Sequence, residues 1–384
     1  MVNTLLKDSS PSLPLPTMPP HPVTPAYTLS LPKLELHAHL TGSITPLTLH
    51  EIWLLHPPTS PPLEDPLHKL SRTATWSLQT FFPLFTTYTY ALLRTRESVL
   101  YATDAVLTDF KNDGVVYLEL RTTPRASEVM SKREYVETVL DAMAAFPGRG
   151  AMRTFLILSI DRRDTAEEGM AVVELAQRLK HRGVVGVDLC GDPRVGDVST
   201  FADAFREAKA GGLGVTVHFG EVRGAVEGGE GEALLGFGPG RVGHVVHVRE
   251  GVREEVLRRG LGVELCVSCN VQAGLTEGGV GGHHFGWWWE RGGKVVLCVS
   301  LPFMFDSEKW ADAGCFPMQT DDVGVFGSTL SNEYLLVAEH FNLSRRDLLE
   351  LCGRGIETIF GGEGEKSRLR GLMTGWRDED GMVP

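Results

Sequence analysis

The chain has 384 residues, a formal net charge of −12, 42% hydrophobic residues and 22% charged residues. That length suits one α/β barrel with extensions, and the acidity gives no general attraction for nucleic acid or anionic membranes, so neither is expected as a partner. No run of about 18 apolar residues is present, which argues against a membrane-spanning helix.

The first 30 residues contain Pro11, Pro14, Pro16, Pro19, Pro20, Pro22 and Pro25, with no basic stretch leading into an apolar core. They read as a disordered or extended leader rather than a signal peptide. The expectation is a Pro-rich extension over 1–30 and a single domain over 31–384, in a cytoplasmic, monomeric protein. Cys190, Cys266, Cys269, Cys298, Cys315 and Cys352 lie mostly in apolar runs, as reduced core thiols do.

Eight short apolar runs follow, rich in β-branched residues. They are Lys33–Leu40, Val115–Thr122, Thr154–Asp161, Val184–Cys190, Val215–Gly220, Val242–Val248, Gly262–Ser268 and a run starting at Lys294. Their composition predicts buried parallel strands. Helical spacing over Ser131–Ala145, Thr165–Arg182, Phe201–Ala210 and Glu250–Arg259 separates several of them. Strands alternating with helices predict a (β/α)8 barrel, in which the C-terminal strand ends carry the site. The open doubly wound sheet is disfavoured, because HLTGSI after the first strand is a poor phosphate-binding turn. Between Leu47 and Tyr101 the aromatic residues Trp76, Phe81, Phe82, Phe85, Tyr88 and Tyr90 predict a helical cap inserted after strand one.

The chemistry starts at His37-Ala38-His39. Residues two apart on a strand share a face, so both imidazoles enter one side of the sheet. His218, followed by Glu221, closes the fifth strand, His244 lies on the sixth, and Asp321-Asp322 follow the eighth. Several imidazoles and carboxylates at separate strand ends suit one borderline divalent metal, zinc first. Such a metal acidifies water toward neutrality, and Glu221 is the candidate acid beside it.

LPKLELHAHLTGSI, VHFGE, RVGHVVH and TDD together resemble the adenosine deaminase family. DGVVYLELRTTPR, SIDRRD and VVGVDLCGDP resemble its adenosine deaminase-like branch, associated with N6-methyl-AMP deamination. The resemblance spans roughly 31–360. It implies a metal-dependent hydrolase that converts N6-methyl-AMP to IMP and methylamine, with a purine nucleotide as partner. It implies one zinc ion on His37, His39, His218 and Asp321. Glu221 would protonate purine N1, and His244 would orient or deprotonate the attacking water. Asp322 and the Gly191 backbone would hold the purine. The segment Arg121, Thr122, Thr123, Pro124 and Arg125 would grip the nucleotide, with Thr41 and Asp161 lining the pocket beside His39. Thr41 stands where relatives carry Asn.

Other signals are weaker. Cys266 and Cys269 have metal-pair spacing but lie on an expected strand with no second pair. Trp287, Trp288 and Trp289 read as helix packing, His283 and His284 as loop residues, and His247 as facing away. One departure concerns the eighth strand. Relatives are expected to run from it directly into the two aspartates, whereas here 299–319 intervene. Three alternatives stay open: deamination of free adenosine, another amidohydrolase, or a catalytically impaired binding protein that the insert has deprived of Asp321.

Overall fold

β-Branched and other apolar residues recur along most of the strands because both faces of the sheet are covered, and the strands fall close to where the sequence puts them. The structure is a computed structural model that describes residues 21–55, 63–71, 87–224, 226, 229–299 and 328–378. Eight parallel strands follow chain order: β1 Lys33–Glu35, β2 Val115–Thr122, β3 Arg153–Asp161, β4 Val184–Cys190, β5 Gly214–Phe219, β6 Arg241–His244, β7 Gly262–Leu265 and β8 Lys294–Leu297. β1 and β8 lie side by side. The Glu35 carboxylate ties them, accepting the backbone N–H of Val299 at 2.8 Å. The result is a nearly closed (β/α)8 barrel.

The helices Lys132–Ala145, Ala166–Arg178 and Arg345–Ile356 each start with a reciprocal cap in which Ser131, Thr165 or Ser344 pairs with an acidic residue three positions on. Two orphan backbone donors are satisfied at each start, which fixes where the helix begins. After strand one the chain forms the helices Pro46–Leu55 and Pro66–Ser71, followed by a helical turn at 87–92. Tyr88 is buried and Tyr90 half exposed. The expected cap residues Trp76, Phe81, Phe82 and Phe85 lie outside the described residues.

Residues 25–30 belong to the domain rather than to a free leader. Pro25–Ser30 is a helix, and the Tyr27 hydroxyl donates to the Arg345 carbonyl at 2.7 Å from a fully buried position. Lys33 caps this helix, its ammonium donating to the carbonyls of Thr28, Leu29 and Leu31.

Three strands end earlier than the sequence predicts. β1 stops at Glu35 because that carboxylate takes the N–H groups of His37 and Ala38 at 2.7 and 3.1 Å. One isolated bridge, His39 to Arg121, continues the pairing. β6 stops at His244, where His244 and Val245 both enter the left-handed region at φ 63° and 54°. β7 gives way to the helix Val267–Gln272, so Cys269 stands on a helix and not on the expected strand. Cys190, Cys266, Cys269, Cys298 and Cys352 are buried, with no disulfide among the described residues.

The barrel interior is charged. Glu119, Arg121, Asp188, Thr216, Arg241 and Glu264 are all fully buried. Arg121 on β2 reaches Glu264 on β7, and Arg241 on β6 reaches Glu119 on β2 at 2.6 Å. These strands are not neighbours, so the pairs span the lumen. Phe360 closes one end. Its ring lies 3.6 Å from the Arg241 guanidinium and against Gly186, Gly214 and Gly240, where a β-carbon at Gly214 would come within 2.3 Å of it. Among the described residues no helix is long and apolar enough to cross a membrane.

Candidate metal centre and active site

The C-terminal ends of β1, β5 and β6 bring His37, His39, His218 and His244 together. The His37 ring lies 4.6 Å from His218 and 4.9 Å from His244, centre to centre. Gly243 makes the room: a β-carbon there would come within 2.7 Å of the His37 ring. Two consecutive left-handed non-glycine residues, His244 and Val245, aim the fourth imidazole inward. Such strain costs about 1–3 kcal/mol per residue and persists only where the surroundings impose it. Here the Val245 N–H donates to the Phe219 and Gly243 carbonyls, both at 2.9 Å.

Carboxylates beneath the rim set the tautomers. His37 Nδ1 lies 2.8 Å from Glu264 Oε2. A carboxylate only accepts, so Nδ1 carries the proton and Nε2 offers its lone pair. That Nε2 is buried without a partner. His218 Nδ1 lies 3.2 Å from Asp188 Oδ1 and 3.0 Å from the Leu189 carbonyl, which frees its Nε2 in the same way. His218 Nε2 then faces His39 Nε2 at 3.3 Å. The nitrogens of His37, His39 and His218 lie within 4.8 Å of one another. An orphaned lone pair among converging imidazoles is the donor set that a borderline divalent ion takes. Burial holds the His37 pKa well below its ordinary value and pushes His39 down to about 3, so both rings are neutral. Burial also lowers that of His218, but Asp188 outweighs it and the net shift is upward. His39, Asp188 and Cys190 form a second possible ion-binding group, but Asp188 is already paired with Arg121.

Arg121 is engaged inside the barrel. Its guanidinium is fully buried beneath the rim, 3.1 Å from Asp188 and bonded to Glu264 and to the Leu36 carbonyl. It bridges the two carboxylates that orient His37 and His218. The period-two alternation that turns Thr122 and Pro124 one way turns Arg121 into the lumen. Thr122 is likewise buried and hydrogen-bonded to the Tyr135 hydroxyl at 2.7 Å, with Pro124 also buried. Thr123 Oγ1 lies 3.6 Å from Cys190 Sγ.

Arg125 differs. Its guanidinium lies 5.0 Å from the Tyr90 ring and 5.1 Å from the Tyr135 ring, and it is only partly buried. Asp161 is clasped by Arg163 at 2.6 Å. Gly191, at φ 104°, sits where a β-carbon would come within 2.8 Å of Asp161, so its backbone can approach closely. Thr41 opens the short 3-10 turn Thr41–Ser43 and is half-buried. Glu221 lies 4.0 Å from His244 Nε2 and is about one-fifth exposed. Asp321 and Asp322 lie outside the described residues.

Sequence reasoning missed Asp188, Glu264 and Asn270. The signal was present for the first two: a lone carboxylate inside an apolar strand run, VVGVDLC and GVELC, demands a buried partner. His283 and His284 lie in the loop before the helix Phe285–Glu290, as the sequence suggests, yet both are buried: His283 bonds to Asn270, and His284 accepts the Trp288 indole N–H at 2.9 Å. Trp287, Trp288 and Trp289 lie on the helix Phe285–Glu290, as the sequence suggests.

Comparison with known proteins agrees with this geometry. The adenosine deaminase family model matches residues 32–307 and so ends inside the 299–319 stretch. The N6-mAMP deaminase of Arabidopsis thaliana is 33% identical over 366 residues, covering 89% of this chain and 96% of that one. The human N6-methyl-AMP deaminase is 32% identical, covering 88% and 92%. A crystal structure of the Arabidopsis protein in complex with IMP superposes with a TM-score of 0.79 at 32% identity, covering 91% of this chain and 97% of that one. The chain belongs to the adenosine deaminase family, in its adenosine deaminase-like branch of metal-dependent deaminases.

Proposed function

We propose that this protein removes the N6 substituent of a 6-aminopurine nucleotide, taking N6-methyl-AMP to IMP and methylamine, with zinc as the metal. The observation that carries this reading is the orphaned Nε2 of His37 beside the facing Nε2 atoms of His39 and His218. It is supported by relatives named for that activity and by the Arabidopsis relative solved with IMP. His37, His39 and His218 would hold the ion, with Asp321 as the fourth ligand, and the ion would acidify water.

The chain's own groups do the rest. Glu221 protonates purine N1, drawing electrons from C6 and making it electrophilic. His244 orients the attacking water. Gly191 and Asp322 hold the purine edge, with Thr41 and Asp161 lining the pocket. Recognition of the phosphate passes from Arg121, which is buried, to Arg125 at the mouth of the site.

Amine release measured on N6-methyl-AMP, AMP and adenosine tests the assignment. The expected order places N6-methyl-AMP first. Adenosine turned over as well as the nucleotide would overturn the nucleotide reading. Glu221→Gln should keep its metal and lose at least about a hundredfold in turnover. Near wild-type turnover in that variant removes Glu221 from the role.

A further inference from the structure

We propose that Asn270 and His283 form a buried relay that fixes His244 with its proton on Nε2, so that His244 meets the reacting oxygen as a hydrogen-bond donor and not as a base. The consequence for catalysis rests on the deaminase reading, whereas the relay itself rests on geometry alone.

The chain of contacts runs outward from the site. His244 Nδ1 lies 3.2 Å from Asn270 Oδ1, and Asn270 Nδ2 lies 3.1 Å from His283 Nε2. Asn270 is fully buried on the helix Val267–Gln272, and His283 is 3% exposed. The anchor is the last link. The backbone N–H of Phe285 points at His283 Nδ1 from 3.1 Å. A backbone N–H only donates, so His283 Nδ1 must carry a lone pair.

Burial pushes the His283 pKa down to about 3, so the ring is neutral and its one proton sits on Nε2. An Nε2–H requires an acceptor, and the Asn270 amide must present its oxygen. With the amide nitrogen turned that way, two donors would oppose each other at 3.1 Å in a dry interior. A half-turn of the amide exchanges oxygen and nitrogen without moving any other group, and every partner is then complementary. The amide NH2 now faces His244 Nδ1 and donates to it. The proton of neutral His244 is therefore on Nε2, the nitrogen that looks toward Glu221 across 4.0 Å. The left-handed backbone at His244 and Val245 holds the ring in this direction. Asn270 and His283 are thus positioning residues, and one backbone N–H two shells away sets the role of the imidazole.

The test is nitrogen NMR on the full-length, metal-loaded chain labelled at histidine, with His244 assigned by its loss in His244→Gln. The expected result is a protonated Nε2 and a bare Nδ1 on both His244 and His283. A protonated Nδ1 on wild-type His244 overturns the relay. His283→Leu should blur the tautomer of His244 and cut kcat about tenfold, the scale of one misaligned hydrogen bond, with KM nearly unchanged. His283→Gln, whose amide can donate to the same oxygen, should restore most of both. Equal spectra and equal kcat in the Leu and Gln variants would overturn the relay. The expected tautomer without turnover of any purine would instead leave the relay standing and remove the deaminase reading.

Discussion

The rim of the barrel and the layer of charge beneath it are built on opposite rules. At the rim, His37 keeps a nitrogen without a partner, two imidazole nitrogens face each other, and two residues hold left-handed backbone. Beneath it the carboxylates of Glu119, Asp188 and Glu264 meet the guanidinium groups of Arg121 and Arg241, all fully buried. The incomplete layer is where a ligand completes the bonding. The ion-paired layer aims the rim, since Glu264 and Asp188 each hold an imidazole by its far nitrogen. Buried charge of this kind gives little net stability, but removing one member leaves the others uncompensated.

Arg121 is where the comparison breaks most visibly. If it belongs to the lower layer, Arg121→Met strands Asp188 and Glu264 in the interior. The expected loss of stability is about 3–5 kcal/mol by denaturant titration. The surviving folded fraction should retain metal about 10–100-fold less well in a chelator competition, because both imidazoles lose their orientation. An Arg121→Met protein of wild-type stability with a raised KM for nucleotides alone would return Arg121 to the rim and to the phosphate.

The rim, in turn, was more legible than the layer below. His37 and His39 are visible from the two-residue spacing at a strand end, although the structure achieves their shared direction by a different route. The strand stops at Glu35, and the carboxylate of that residue captures the next backbone N–H groups. In the sequence Arg121, a cation beside threonines at a strand end, looks like an anion grip, whereas in the structure it pairs with Asp188 and Glu264. The direction of its side chain depends on β2 alternation and on which carboxylates cross the lumen, and neither partner is near it in sequence. His283 was dismissed for a similar reason. Its neighbours are glycines and a histidine, and only the long-range contact with Asn270 gives it a role.

Arg125 offers the contrasting perturbation. It is partly buried between Tyr90 and Tyr135 and bonds the Tyr135 hydroxyl at 3.3 Å. Arg125→Ala should change stability by no more than about 0.5–1 kcal/mol, as for a partly exposed side chain. The KM for N6-methyl-AMP should rise about tenfold or more through loss of a charge-assisted contact, with little change for a free nucleoside. Equal effects on nucleotide and nucleoside would show that Arg125 only braces the two tyrosines.

A pH-dependent contrast is expected at Lys33, a buried charge that stands apart from the paired layer. Its ammonium is held by three backbone carbonyls, and burial pulls its pKa from 10.5 down to about 8 against the opposing pull of Asp113. Because the folded value lies below the unfolded one, the unfolded chain binds more protons between roughly pH 8 and 10.5, and stability rises with pH across that window. The charged form therefore costs the fold most at pH 7, and that cost fades as Lys33 gives up its proton. Set against Lys33→Met, wild-type stability should gain as pH is raised from 7.5 to 9.5, by at most about 2–3 kcal/mol. Denaturant midpoints of the two proteins at both pH values measure this. A difference between them that stays constant would mean that the carbonyl cage keeps Lys33 charged throughout, making it as complete as the ion pairs above it.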